Sequence, residues 1–218
     1  MKKLCCATAM AVVLSGCAGA PTKPLASGST LQGKHIAVTQ YAKPDFGAMT
    51  AGKAAFGVFG AMAMIGAGND LVKAEHIEDP AIEIGEHLAN DMAEKHSATV
   101  LPASQHIATD AEKPPALVKF YPDADLVLDV RTINWMFLYY PSSWGRYHVM
   151  YVARVRLMDG KTGSLVAQHV CKVVFLGGGG NAPTKDELLA NHAAMLKQTL
   201  HKAAATCVGD VERQALML

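Results

Sequence analysis

The sequence predicts an α/β domain of the α+β kind: a mostly antiparallel sheet packed by two main helices, with one Gly/Ala-rich apolar insert. Three observations carry that expectation. Asp125 to Tyr140, Tyr147 to Met158 and Ser164 to Phe175 read as strands from their alternation and β-forming residues. The last two are joined by Asp159-Gly160-Lys161-Thr162-Gly163, a tight glycine turn suited to an antiparallel hairpin. Asp79 to Ser97 and Thr184 to about Cys207 open on helix-capping residues and repeat apolar residues at helical spacing.

The chain opens with a segment outside that domain. Lys2 and Lys3 precede an uncharged apolar run, Leu4 to Leu14, and then Ser15 and Gly16 stand before Cys17. This is the layout of a secretory signal peptide. The run is only about half of the roughly 20 residues that a spanning helix needs. Leu14-Ser15-Gly16-Cys17 resembles the bacterial lipobox, in which the cysteine is lipidated and becomes the first residue of the mature protein. The resemblance implies that residues 1–16 are removed and that acyl chains on Cys17 hold the protein to a bilayer. Ala18, not Asp, follows the cysteine, which by the same resemblance implies the outer membrane, with the domain facing the periplasm or the cell surface. Ala18 to Gly33 is small, polar and proline-containing, so 17–33 reads as a lipidated cysteine and flexible tether. Residues 34–218 then form a single periplasmic domain with the apolar insert at 45–68.

Charge and cysteine usage agree with that location. Without Lys2 and Lys3, the 20 basic residues become 18 against 19 acidic ones. There is no basic field for nucleic acid. Only 18% of residues are charged, below the usual quarter, which fits surface that is buried or meets membrane or partners. Of five cysteines, Cys5 and Cys6 leave with the signal and Cys17 takes lipid. Cys171 and Cys207 remain, a candidate disulfide in an oxidising compartment; the alternative is two buried thiols.

Within the domain, Lys34 to Tyr41 is the first strand candidate, with Ile36 and Val38 on one face. Ala54 to Gly68 has no charge and is apolar all round, yet is too short to span a bilayer and is interrupted by glycines. Three readings compete: a buried helix or hairpin, a mobile loop, or an element that touches membrane or another copy. Gly47, Gly52 and Lys53 have phosphate-loop spacing, but Ala54 replaces the required hydroxyl, which argues against nucleotide binding. Asp79 caps the next helix with Pro80 in its first turn, and Ala81, Ile84, Gly85, Leu88 and Met92 form its apolar stripe. Thr99 to Leu101 reads as a short buried strand. Pro102 to Asp123 reads as loop, broken by Pro114-Pro115, with a short helix around Ala116 to Tyr121.

In the second long strand Tyr147, Val149, Tyr151, Ala153, Val155 and Leu157 share one face. In the third, Leu165, Ala167, His169, Cys171, Val173 and Phe175 do. After the run Gly177 to Gly180, Thr184 and Glu187 form a capping box. Leu189, Ala193, Leu196, Leu200, Ala203 and Cys207 then line one stripe of the last helix. Both remaining cysteines therefore sit on faces that should pack together.

Candidates for chemistry are few. Glu83, His87 and Asp91 stand four apart on a helix, a spacing that usually gives only weak helix-surface pairs. There is no HExxH and no Cys/His cluster, so no metal site or cofactor is expected. Ser142-Ser143 lies in a hairpin loop without the strand-to-helix setting of a hydrolase serine. Asp123, Asp125 and Asp129 do not make a readable catalytic pair. The chain reads as a non-enzyme. Half of its Phe, Tyr and Trp residues fall between Trp135 and Tyr151. They read either as the end of a core or as a hairpin tip. As a tip, Trp135, Tyr139, Tyr140, Trp144 and Tyr147 dock a protein partner or dip into a membrane interface.

Ala124-Asp125-Leu126-Val127-Leu128 and Val155-Arg156-Leu157-Met158-Asp159-Gly160-Lys161-Thr162-Gly163, behind a lipobox, resemble a group of outer-membrane lipoproteins. The group includes the curli-secretion lipoprotein, the activator lipoprotein of a penicillin-binding protein, and lipoproteins related to a neisserial surface antigen. The resemblance implies a three-layer domain with a mostly antiparallel sheet. The insert at 45–68 departs from it. The function expected is a non-enzymatic envelope lipoprotein that binds protein partners in outer-membrane or wall assembly, secretion or maintenance. The alternative is a carrier of lipid or a small molecule, with the apolar segment lining a cleft. Self-association through 54–68 is a further expectation.

Overall fold

The computed structural model describes residues 22–175 and 181–218. The signal peptide, Cys17, the first tether residues and the run Gly177 to Gly180 lie outside the described residues.

The fold is α+β, and its backbone is the expected set of long strands. β6 (Leu126–Tyr140), β7 (Ser143–Asp159) and β8 (Leu165–Phe175) form an antiparallel meander. Three short strands extend it with parallel pairings. These are β1 (His35–Val38) on β6, β4 (Thr99–Val100) on β1, and β3 (Gly47–Met49) on the far part of β6. β2 (Gln40–Tyr41) and β5 (Ile107–Ala108) make a separate parallel pair. β4 is an exposed edge strand, not the buried strand expected at Thr99 to Leu101, because among the described residues nothing pairs on its outer side.

α3 (Pro80–His96) and α5 (Lys185–Val211) lie side by side on one face of the sheet. Asp79 caps α3 by accepting from the Ala81 N–H at 3.0 Å, and its expected stripe is buried. The capping box of Thr184 and Glu187 is formed. α5 is broken at Ala190 to Ala193, where Asn191, His192 and Ala193 take positive φ. The break shifts the first turn, so Leu188 is the fully buried residue there and Leu189 only packs against the core. Among the described residues the opposite face is covered at one end only. There α4 (Pro114–Leu117), a 3₁₀ turn at Val118–Phe120 and Tyr121 pack on Val127 and Met158. Pro114-Pro115 begins this short helix, since proline suits a first turn, and 102–123 carries no long element, as expected.

Two bulges set which side chains face the core. Between Thr132 and Asn134 the β6 register slips by one residue. Val130 and Thr132 point inward before the slip, and Trp135 and Phe137 after it, which leaves Ile133 exposed. A second slip next to Leu157 turns Leu165 to the opposite face, away from the Ala167, His169 and Cys171 side where it was expected.

Part of the stretch 17–33 expected as a flexible tether is held to the domain, at Lys23, Leu25, Leu31 and Gly33, while Ala26 to Thr30 are exposed. Lys23 pairs antiparallel with Gln168 through two backbone hydrogen bonds of 2.8 Å, and the Leu25 N–H donates to the Ala215 carbonyl at 2.7 Å. Leu31 is 2% exposed. The composition is that of a linker, but the free edge of β8 pairs Lys23, and the Gly33 N–H donates to the His96 carbonyl at 3.1 Å.

The apolar insert is helical. α1 (Ala51–Ala54) and α2 (Gly57–Ala74) follow β3. α2 lies so close to its neighbours that a Cβ at Gly68 would fall 1.8 Å from the Phe46 carbonyl oxygen, and one at Gly60 1.7 Å from that of Lys53. Glycine here permits contact with backbone, which outweighs its roughly 1 kcal/mol cost to the helix.

Candidate functional site

The aromatic cluster divides between core and surface. Trp135 has no exposed area; its ring packs edge-on against Phe46 at 5.0 Å and its indole N–H donates to the Pro44 carbonyl at 3.2 Å. Tyr147 is buried against Phe137, and Tyr151 hydrogen-bonds Thr132 in the core. Trp135 and Tyr147 thus present nothing to a partner, because the inward face of each strand carries them. Tyr139 and Tyr140 are half-buried, and Tyr140 packs on His148 at 4.6 Å. Trp144 alone of the five stands clear of the surface, at the turn Pro141-Ser142, where its N–H donates to Pro141.

The insert does the opposite of what most apolar segments do. Its second half packs through Gly68, Leu71 and Val72. Its first half is exposed: Phe56, Val58, Phe59 and Met62 are each between 68% and 82% accessible. No charge occurs from Ala54 to Gly68. Among the described residues no helix is long and apolar enough to cross a membrane.

The sheet face away from α3 and α5 holds a constellation that the sequence did not reveal. Asp129 is fully buried and accepts from Tyr41 OH at 2.6 Å, Thr39 Oγ1 at 3.2 Å and Arg156 Nε at 2.7 Å. Arg154 reaches the same carboxylate at 3.7 Å. Arg131 pairs with Asp110 and lies 5.8 Å from the Tyr41 ring centre. Burial, and then the Asp129 charge, push the Tyr41 phenol well above its usual range. Burial, and then Arg156 beside it, lower the Arg154 guanidinium. The Nε of Arg154 is buried without a hydrogen-bond partner among the described residues. Each cross-strand pair here, Asp129 with Arg156 and Arg131 with Arg154, follows from the antiparallel register. The face continues through His148, Met150, Val152, Val170, Lys172 and Val174, all at least partly exposed. Burial alone holds His148 below the ordinary imidazole range.

A cleft of about 540 Å³ opens between α3 and the ends of β1, β2 and β4. Val38, Tyr41, Ile82 and Leu101 give it apolar walls, and Asp79, Glu86 and Asn90 supply polar groups. Asp79 also accepts from Thr132 Oγ1, and burial raises its carboxyl above the ordinary range. The apolar insert takes no part in this lining, so it does not form the cleft cover that the carrier reading expected. Glu83 sits 2.7 Å from His201 and 3.9 Å from His87 on the exposed helix surface. Asp91 turns instead toward Glu212 and Lys95. Among the described residues no group of three His, Cys, Asp or Glu is arranged to hold a metal.

Cys171 on β8 and Cys207 on α5 are bonded, with Cα atoms 5.5 Å apart, and the bridge ties helix to sheet in the centre of the core. Next to it, His169 is buried; its Nδ1 lies 2.9 Å from Thr22 Oγ1.

No protein-family model matches the chain, and no curated protein resembles it in sequence. Solved structures share parts of its fold. Lipoprotein GNA1162 from Neisseria meningitidis is 15% identical, with a TM-score of 0.36 over 81% of this chain and 99% of that one. Protein XCC0632 from Xanthomonas campestris is 11% identical, with a TM-score of 0.42 over 88% of this chain and 91% of that one. The LpoB C-terminal domain from Salmonella enterica is 14% identical, with a TM-score of 0.31 over 68% of this chain and 87% of that one. At these values the likeness carries no functional argument, and function has to be read from the chain's own residues.

Proposed function

We propose that this chain is a lipid-anchored envelope protein, held to the outer membrane through Cys17, whose domain binds a protein partner and catalyses no reaction. The location is supported by Leu14-Ser15-Gly16-Cys17 standing directly before a disulfide-bridged domain that begins to pack at Thr22. The observation that carries partner binding is the open sheet face. It offers the half-exposed apolar side chains of Met150, Val152, Val170 and Val174 together with Arg154, which is partly exposed, and Lys172, which is exposed. Two cations among half-exposed apolar residues suit an acidic segment of a protein. Photo-crosslinkers at Val170 and Lys172 test it in intact envelopes. They should yield one discrete adduct that Arg154→Glu abolishes, and a crosslinker at Lys197 on α5 should not. An adduct insensitive to Arg154→Glu speaks against this face.

A second reading keeps a specific observation. The 540 Å³ cleft has the size and the apolar-with-few-polar lining of a small-molecule site. A lipid or small molecule that co-purifies and is lost with Ile82→Trp would favour a carrier.

A further inference from the structure

We infer that the cleft between α3 and the ends of β1, β2 and β4 binds a small amphiphilic amine, its apolar body between Ile82 and Ile107 and its ammonium on Asp79. This rests on the carrier reading of the cleft and gives it a ligand class; it is independent of the open sheet face.

A contrast between two carboxylates carries the inference. Among the described residues Asp79 and Asp129 are the buried acids. Asp129 has two guanidinium groups against it, Arg156 at 2.7 Å and Arg154 at 3.7 Å. Asp79 is 6% exposed and makes no ion pair among the described residues. Its Oδ1 accepts from the Ala81 N–H and from Thr132 Oγ1, and no hydrogen bond reaches Oδ2. The enclosed side-chain atoms that lack a partner belong to Tyr121, Tyr140, His148 and Arg154, so Oδ2 is not sealed off. Lys43 attracts Asp79 only through space, and Glu78 opposes it. The Lys43 ammonium is engaged by the Ile77 carbonyl at 2.8 Å and by Glu78 at 3.1 Å. The start of α3 favours a negative group, yet burial still dominates and raises the Asp79 carboxyl. Buried charges in proteins are as a rule paired, and here the cation is missing.

The walls fit the rest of such a ligand. Val38, Val130 and Leu101 line the cleft, and Ile82, Val100 and Ile107 stand around it. These last three come from α3, β4 and β5 and are each between 37% and 52% exposed. Single apolar residues on a surface are ordinary, but three that converge on one opening mark a binding groove. Ile82, Glu86 and Asn90 stand four apart and form one ridge of α3, about 12 Å long. Asp79 and Glu86 are the charged residues of the lining, and no Lys, Arg or His joins them. The field inside is therefore negative, which favours an ammonium and repels a carboxylate or a phosphate. At about 30 Å³ per water-sized group, 540 Å³ holds about 18 of them, the scale of a small molecule and not of a folded partner element.

Octylamine, octanol and octanoate share one apolar body and differ in charge. Each is titrated calorimetrically into the mature chain carrying Cys17→Ser, which leaves no acyl group to compete. Octylamine should bind about tenfold or more tighter than octanol, and octanoate more weakly than octanol. Asp79→Asn keeps a helix-capping side chain and an acceptor for Thr132, and removes the charge. It should bring octylamine to the affinity of octanol and leave octanol unchanged. Glu86→Gln, at an exposed position, should narrow the difference without moving the urea midpoint, and it serves as the test if Asp79→Asn unfolds. Ile82→Trp should abolish binding of all three. Equal binding of octylamine and octanol, both lost with Ile82→Trp, overturns the amine and leaves the carrier reading standing. A preference for octylamine that survives Asp79→Asn overturns the role of Asp79. No binding, or binding that survives Ile82→Trp, overturns the cleft as a site.

Discussion

The Cys171–Cys207 bridge gives the most quantitative prediction. Its removal, by Cys171→Ala and Cys207→Ala in a mature chain carrying Cys17→Ser, frees a loop closed across a sequence separation of 36. The chain-entropy relation gives about 4 kcal/mol for a loop of that length. The loss of two buried sulfurs adds about 1 kcal/mol, because both cysteines sit in the core between β8 and α5. With roughly 2 kcal/mol per molar urea for a domain of this size, the midpoint should drop by about 2.5 M. The melting temperature should fall by about 10 °C or more, at a few degrees per kcal/mol. Urea unfolding followed by circular dichroism measures this, with each single variant beside the double one. Either single variant already opens the loop, so each should lose nearly as much as the pair. The reasoning is refuted if the double variant lies within about 1 kcal/mol of the parent, or if non-reduced protein contains two free thiols by mass.

Four further outcomes are expected of the same structure. Asp129→Asn should cost about 2–4 kcal/mol in urea unfolding, since it strips Arg156 and Arg154 of their carboxylate, whereas Asp110→Asn at the exposed pair with Arg131 should cost less than about 1 kcal/mol. Gly68→Ala should destabilise by more than about 2 kcal/mol because its Cβ meets the Phe46 carbonyl, while Gly66→Ala, with open space around it, should gain about 0.5 kcal/mol. Trp135→Ala should cost about 3–5 kcal/mol, and Trp144→Ser should stay within about 0.5 kcal/mol of the parent. Burial holds both His169 and His148 below the ordinary imidazole range, with Asp210 opposing the shift at His169. The folded chain then binds fewer protons than the unfolded one, so stability is complete above about pH 6.5 and declines as the pH falls through that value. The urea midpoint should be lower at pH 5.5 than at 7.5, and His169→Asn should flatten the slope; a flat profile in the parent would contradict it.

Where local chemistry decides the structure, the sequence is legible. Asp79 with Pro80, the Thr184–Glu187 box and the Asp159 to Gly163 turn each act within a few residues, and each is formed. The alternation of β7 places Tyr147 to Leu157 correctly because one face of that strand is buried along its length. Long-range effects were not legible. The bulge at Ile133 inverts the faces of β6, and so decides that Trp135 is core. Asp129 became the centre of a buried ion-pair network only once the register set Arg156 opposite it and β1 and β2 brought Thr39 and Tyr41 near. Residues 23–33 have the composition of a linker, yet Lys23 pairs with the edge of β8, the Leu25 N–H donates to Ala215, the Gly33 N–H donates to His96 and Leu31 enters the core, all contacts distant in sequence. The glycines of the insert read as helix breakers, whereas Gly60 and Gly68 serve the close approach of α2 to neighbouring backbone.

The proposed anchor at Cys17 underlies the proposed envelope location, and the intact mass of the protein extracted from its own membranes tests it most directly. The expected species begins at Cys17 and carries three acyl chains on it. A chain that retains residues 1–16, or one that begins elsewhere and bears no lipid, would contradict it.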